Sequence, residues 1–331
     1  MKIKYSELKK LGFDKFEDTV SDEITEPKIK PPAFDALDFD TDLTYGNGLC
    51  ILPDYCKAKL IKAGKYRKII VSSNNSTGKA LKKIRPLPNN RYKNTETGEV
   101  KQRKKREYRT ESMACLNNSI NEVRLLIYTN FVDVEGYFIT LAYDSYMPDY
   151  KKAQKDFNQF MDKLKYRYEK RYGIKLSFLK VIEPKTSGSW HFHLLIKSAT
   201  NKRLNISEDF VRHIWGQNSV KAEPITDGEG LAAYLGKGTC TYTDTDNFNI
   251  SMLDDKCSYL RRSFYKRGMR LYSTSQNLQK PIEVYMTQDE AHAAVADCTK
   301  IGENHTLVKK KKADREYILN AINYETYKKE D

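Results

Sequence analysis

Cysteine is sparse and unpaired in this chain of 331 residues: the six cysteines (Cys50, Cys56, Cys115, Cys240, Cys257 and Cys298) are scattered, and no two form a CxxC pair. That argues against a zinc ribbon and against a disulfide framework, so they read as free thiols of a reducing cytoplasm. No stretch of about 18 apolar residues occurs, so no transmembrane helix is expected. The first residues, Met1-Lys2-Ile3-Lys4, have no apolar core of the kind a secretory signal carries. A phosphate-binding loop is missing as well. Ser76-Thr77-Gly78-Lys79-Ala80 holds a Gly-Lys pair, but the first glycine of G-x-x-x-x-G-K-S/T is absent and Ala80 stands where a hydroxyl residue belongs. No built-in ATPase is expected.

Charge, by contrast, is plentiful. Charged residues make up 31% of the chain, and 58 Lys and Arg against 44 Asp and Glu leave a net charge of +14. Such a balance suits a polyanion, nucleic acid first and an acidic membrane surface second, although a merely soluble basic protein would show it too. The 23 tyrosines add weight to nucleic acid, because aromatics among cations stack on unpaired bases. The length is enough for one large domain or two ordinary ones.

Residues 1–65 begin acidic and carry Pro27, Pro31 and Pro32, which suggests an irregular or loosely packed arm. A short β-type run, Tyr66 to Val71, follows. Residues 82–109 are basic and turn-rich, with Pro86, Pro88, Asn89-Asn90 and the cluster containing Lys104, Lys105 and Arg106. An exposed loop or hairpin is expected there, either contacting phosphates or serving as a solvated linker. Met113, Leu116, Ile120, Val123 and Ile127 recur at helical spacing, which predicts a helix over 111–129.

Beyond residue 137 the pattern is richer. Tyr137 to Tyr143 is a β-type run. Ala153, Phe157, Phe160, Leu164 and Tyr168 mark a long amphipathic helix, with Gly173 at its C-terminal cap. Two β-type runs, Leu176 to Glu183 and Trp190 to Ile196, flank the turn composition Pro184-Lys185-Thr186-Ser187-Gly188. Ser207-Glu208-Asp209 heads a helix that Gly216 ends. Val220 to Ile225 is a fourth strand, and Asp227-Gly228-Glu229-Gly230 opens a helix containing Tyr234. The order is β-α-β-β-α-β plus a helix: an α+β, ferredoxin-like or RRM-like palm with an antiparallel sheet, helices on one face and the other face free for a site. The organisation expected is a basic N-terminal extension over 1–109, a functional domain over 110–245 and a basic C-terminal extension over 246–331. Topology does not decide function, since RNA-binding modules share it.

His191 and His193, two of only five histidines, stand two apart on a predicted strand, so both side chains face the same way. Such a pair can hold one divalent metal. If the hairpin turns near Ser187, Glu183 lies opposite His191 on the same face and completes a two-His, one-carboxylate set; a slip of one residue would turn it away. Tyr234 and Lys237 are three apart and share a helix face. A tyrosine is a poor nucleophile near neutrality and needs a nearby cation or metal. Lys237 offers a cation, although Gly236 and Gly238 flank it.

Trp190-His191-Phe192-His193-Leu194-Leu195 resembles the HUH motif, Phe138-Ile139-Thr140-Leu141 the strand motif before it, and Tyr234-Leu235-Gly236-Lys237 the catalytic-tyrosine motif. Together they resemble a rolling-circle replication initiator (Rep) of the HUH endonuclease superfamily, as found in phages, plasmids and integrative elements. The likeness extends over about 137–281, where Gly268 to Ser275 and Lys280-Pro281 are similar to a segment that follows the tyrosine helix. It implies Mg2+ or Mn2+ on Glu183, His191 and His193, and attack by Tyr234 on single-stranded origin DNA, which can include a hairpin. The product is a 5′-phosphotyrosine and a 3′-hydroxyl primer, with a host helicase and polymerase as partners. It places Glu229 where some relatives activate water. Arg261, Arg262, Lys266, Arg267 and Lys309 to Lys312 would bind origin DNA, or else belong to a solvated basic tail with a terminal helix near Tyr317 to Tyr327. The alternatives are a conjugative relaxase or transposase of the same superfamily, or a non-catalytic nucleic-acid-binding module. Relaxases place the tyrosine before the histidines, transposases are much shorter, and a binding module would carry aromatics in place of the His pair.

Overall fold

The protein's structure, a computed structural model, describes residues 41–73, 84–89, 91–94, 97–102, 113–200, 202–237, 261, 263–312 and 315–330. All of these belong to one packed unit, Ala33–Asp331. The chain opens with strands β1 (Thr41–Asn47), β2 (Ala58–Ala63) and β3 (Tyr66–Ser72). Three short strands follow, β4 (Ile84–Leu87), β5 (Arg91–Asn94) and β6 (Val100–Gln102), paired as a small antiparallel sheet of their own. The basic segment expected to be a loop or hairpin is therefore a three-stranded meander. Helix α1 (Met113–Asn130) comes next, with Ile120, Val123 and Ile127 buried, as their spacing predicted.

The palm is built from β7 (Gly136–Leu141), α2 (Tyr150–Tyr166), β8 (Leu176–Pro184), β9 (Trp190–Ser198), α3 (Glu208–Trp215) and β10 (Val220–Pro224). Asp149 caps α2 by accepting from the Lys151 and Lys152 amides, and Ser207 caps α3 by accepting from Phe210 N. After α2 the backbone widens into a π-turn over Arg167–Arg171 before Gly173, at φ 63°, releases the chain. Helix α4 (Gly228–Lys237) and strand β11 (Tyr272–Thr274) complete this half. The strand order is β10-β7-β9-β8-β11, with every pair antiparallel, so the first four strands have the 4-1-3-2 arrangement of a split βαβ fold. The α+β palm expected from the pattern is the one observed.

One face of this sheet packs on α2 and α3 through Phe157, Phe160, Phe192, Val211 and Trp215. Lys180 is buried on that face, its ammonium 4.6 Å from the Phe157 ring centroid and 2.6 Å from Gln154 Oε1. The other face was expected to be free, and it is not. Phe138, Leu179, Val181 and Leu195 point that way and are buried. α1 and α4 lie over them: Tyr234 packs edge-on to Phe138, Lys197 stands over the Phe131 ring, and Tyr272 hydrogen-bonds Glu122. The reason is chemical: alternate residues on these strands are as apolar as their neighbours, and such a face needs a cover. α1 and α4 approach closely because a Cβ at Gly228 would collide with the Phe131 carbonyl.

Past the palm come β12 (Ile282–Met286), α5 (Gln288–Ala293), β13 (Cys298–Lys312) and β14 (Arg315–Lys329). They join the first strands in a six-stranded sheet of order β1-β13-β14-β3-β2-β12. Two segments that the sequence presents as separate extensions are thus one sheet. The terminal helix expected near Tyr317 to Tyr327 is corrected to a strand, β14, which pairs with β3 and β13. Tyr317, Ile318, Ile322, Tyr324 and Thr326 supply the β-branched and aromatic side chains that a strand favours. Inside this sheet Glu325 is buried and accepts from His292 (2.9 Å), Lys300 (2.7 Å) and Tyr327 (2.7 Å). Burial alone would raise its pKa; these hydrogen bonds outweigh burial and hold it below the usual carboxylate value. Residues 1–65, expected to be an irregular arm, carry β1 and β2 of this sheet; residues 1–40 lie outside the described set.

Candidate metal and tyrosine centre

The β8–β9 hairpin sets the geometry. Its turn is closed by Lys185 N to Ser189 O (2.8 Å) and Gly188 N to Lys185 O (2.9 Å). Gly188 is required twice over, by a φ of 85° and by Phe264, whose ring lies 2.7 Å from where a Cβ would stand. The register that follows pairs Glu183 with His191 and Val181 with His193. Glu183, His191 and His193 therefore share one face, as the hairpin argument required, and their ligating atoms lie within 4.8 Å of one another.

His191 Nε2 is 3.1 Å from His193 Nε2, and His193 Nε2 is 3.7 Å from Glu183 Oε2. His193 is buried, 3% exposed, and His191 half-buried. Burial first, and then the charge of Arg261, push His193 down to about 3. Burial also drives His191 well below its usual value, reinforced by His193, Arg261 and Lys185, while a weak polar contact with the Glu183 main chain works the other way. Both imidazoles are thus neutral near neutrality, with lone pairs available. Two neutral imidazole nitrogens and a carboxylate, converging at these separations, fit a divalent ion of the Mg2+ or Mn2+ class.

Around this cluster, Phe138 stacks on the His193 ring at 5.4 Å and an interplanar angle of 13°. Tyr234 presents itself edge-on to the same ring, at 5.8 Å and 83°. The helix after β10 thereby brings the predicted nucleophile to the histidines. Lys237 closes α4, three residues further on. Glu229 lies elsewhere: its carboxylate is ion-paired to Lys328 (2.6 Å) and hydrogen-bonded to Tyr66, at the junction with the six-stranded sheet. Lys266 and Arg267 are exposed ahead of β11. Lys104, Lys105, Arg106 and Arg262 lie outside the described residues.

Two residues near the centre went unassigned or misassigned in the sequence. Thr140 Oγ1 lies 3.2 Å from His193 Nδ1. Arg261, grouped with the basic flank, is close enough for its charge to disfavour protonation of both histidines. Its segment is fastened to the hairpin: Phe264 fills the space beside Gly188, and buried Tyr265 donates to the Ile182 carbonyl. Thr140 could have been found from strand parity with Phe138, given the β7–β9 pairing; for Arg261 no local signal exists.

A split βαβ palm with two histidines, a carboxylate and a tyrosine at one end of its sheet is the class that fold and site define. Residues 136–239, about a third of the chain, match the family model of the ORF2-type replication-associated proteins. The match spans β7 to α4, the elements that carry the cluster and Tyr234, and it supports a role in initiating replication. No curated protein and no solved structure gives a significant match. Among the described residues no helix is long and apolar enough to cross a membrane, and Cys50, Cys56 and Cys298 are free thiols.

Proposed function

We propose that the protein is an HUH-type nickase and strand transferase that starts rolling-circle replication on single-stranded origin DNA. The observation that carries this reading is the approach of Tyr234 to the Glu183, His191 and His193 cluster within the family-matched segment. In the reaction, the Tyr234 hydroxyl oxygen attacks the scissile phosphorus and gives up its proton. The bond from phosphorus to the 3′-oxygen breaks, and that oxygen leaves as a 3′-hydroxyl. One phosphodiester is exchanged for another, a 5′-phosphotyrosine, so no nucleotide is consumed and a 3′-hydroxyl can later reverse the step.

Glu183, His191 and His193 would hold Mg2+ or Mn2+, which when bound supplies charge neutralisation at a phosphate oxygen. Lys237 stabilises the phenolate. Arg261, Arg262, Lys266, Arg267 and the cluster Lys104, Lys105 and Arg106 contact DNA phosphates. Glu229, already committed to Lys328 and Tyr66, takes no part in the chemistry. The free 3′-hydroxyl primes a host polymerase, and a host helicase unwinds, since the chain carries no phosphate-binding loop.

The test is covalent capture. Wild-type protein with Mn2+ and single-stranded oligonucleotides tiling its replicon should form a DNA adduct stable to denaturation. Tyr234→Phe should form none, and His191→Ala should still bind DNA without cleaving it. No adduct from the wild type, or an undiminished adduct from Tyr234→Phe, refutes the assignment.

A further inference from the structure

Three contacts surround the His193 ring, and they do different things. Phe138 stacks on one of its faces and Tyr234 meets it edge-on. Both fix the plane of the imidazole, but neither distinguishes the ring from its copy flipped by 180° about the bond to Cβ, because the two fill nearly the same space. The third contact does distinguish them. Thr140 is the direct cross-strand partner of His193 on β7, and its Oγ1 lies 3.2 Å from Nδ1. In the flipped ring the hydroxyl would face a carbon.

The opposite side of the ring shows why the flip matters. His193 Nε2 points inward, 3.1 Å from His191 Nε2 and 3.7 Å from Glu183 Oε2. A histidine that offers its Nε2 lone pair to a cation carries its proton on Nδ1, and that proton needs an acceptor. A threonine oxygen is such an acceptor, and its own proton can turn elsewhere. With Nδ1 protonated, His193 Nε2 is also free to accept from His191 Nε2, which accounts for the short separation between the two rings.

We infer that Thr140 is the positioning residue of the metal centre: it accepts the Nδ1 proton of His193 and so selects the ring flip and tautomer that present Nε2 to a divalent cation. The inference rests on the metal reading above. It gives β7 a part in the centre, which is otherwise carried by β8, β9 and α4. A threonine serving only as a cross-strand packing residue would be replaced by valine without loss, since valine has the same shape and favours strands equally well.

The test uses the full chain with Mn2+ alone, without DNA, so that activity does not enter. Titration calorimetry of Thr140→Val should show Mn2+ affinity weakened roughly 10- to 100-fold, the usual effect of losing such a partner, while Thr140→Ser stays close to wild type. Nitrogen NMR of the imidazoles should show His193 protonated on Nδ1 in the wild type and in Thr140→Ser, and a mixture of tautomers in Thr140→Val. Should the valine protein fail to fold, Thr140→Ala read against Thr140→Ser isolates the same hydroxyl. His193→Ala separates the two layers of the argument. If it binds Mn2+ as the wild type does, the metal reading itself falls. If it loses Mn2+ while Thr140→Val keeps wild-type affinity or an unchanged tautomer, Thr140 has no positioning role and the metal reading stands.

Discussion

Replacing Lys180 by methionine tests the register on which the centre depends. β8 alternates, so Glu183 faces the histidines while Lys180 faces the α2 side, where it is 5% exposed. Burial, and then the charge of Arg270, bring its pKa from 10.5 down to about 8. At 1.36 kcal/mol per unit, holding this ammonium in the core costs about 3 kcal/mol at pH 7. The Gln154 hydrogen bond and the rings of Phe157 (4.6 Å) and Phe192 (5.9 Å) return part of it, so Lys180→Met should stabilise the protein by about 1–2 kcal/mol. The sign with pH follows from proton counting. Between pH 8 and 10.5 the unfolded chain holds a proton that the folded chain has lost, so wild-type stability rises through this window and the advantage of the variant shrinks. Urea denaturation at pH 7 and pH 10 measures both quantities, and adduct formation should be unchanged. A variant less stable than wild type at pH 7, or a difference identical at the two pH values, refutes the reasoning. So does a loss of adduct at full stability, because a strand slipped by one residue would put Lys180 at the centre and Glu183 in the core.

Other substitutions probe the supports of the site. Gly188→Ala meets both a positive φ and the Phe264 ring, so thermal melts should show a loss of about 1–3 kcal/mol, and calorimetry weaker Mn2+ binding as Glu183 and His191 shift apart. Glu325→Gln leaves Lys300 and His292 without their buried anion and should cost about 1–3 kcal/mol at pH 7. Since Glu325 is held below its unfolded value, its contribution is present above that value and disappears as pH falls through the folded one. The deficit of the variant should therefore close in acid, and a deficit constant from pH 7 to pH 3 would show that the charge is not what matters.

Much of the palm was legible because its signals are local. Helical spacing in α1 and α2, the Ser207 cap, the Gly216 stop and the turn at 185–189 each lie within a few residues, and the hairpin ties Glu183 to His191 by short-range register. What escaped depends on partners far along the chain. The strand character of β14 is decided by β3, about 250 residues earlier, and a strand sandwiched between two neighbours shows little polar alternation. The cover on the second palm face follows from how apolar Phe138, Leu179, Val181 and Leu195 are, a property visible in the sequence but masked by the assumption that a site needs an open sheet. Arg261 reaches the centre only because Phe264 and Tyr265 dock on the hairpin.

The pairing of Ser72 with Ile322 also imposes an order of events on the ribosome. At roughly 5–20 residues per second, β3 waits about 12–50 s for its partner to be synthesised. The strands of the palm between residues 136 and 224 can close during that interval. The helix bearing Tyr234 cannot be fully braced by then, because Lys328, which grips Glu229 at its start, belongs to β14 and is made with it. A nascent chain therefore holds its metal ligands together well before its nucleophile is seated, and cleavage competence waits for the strand that closes the second sheet.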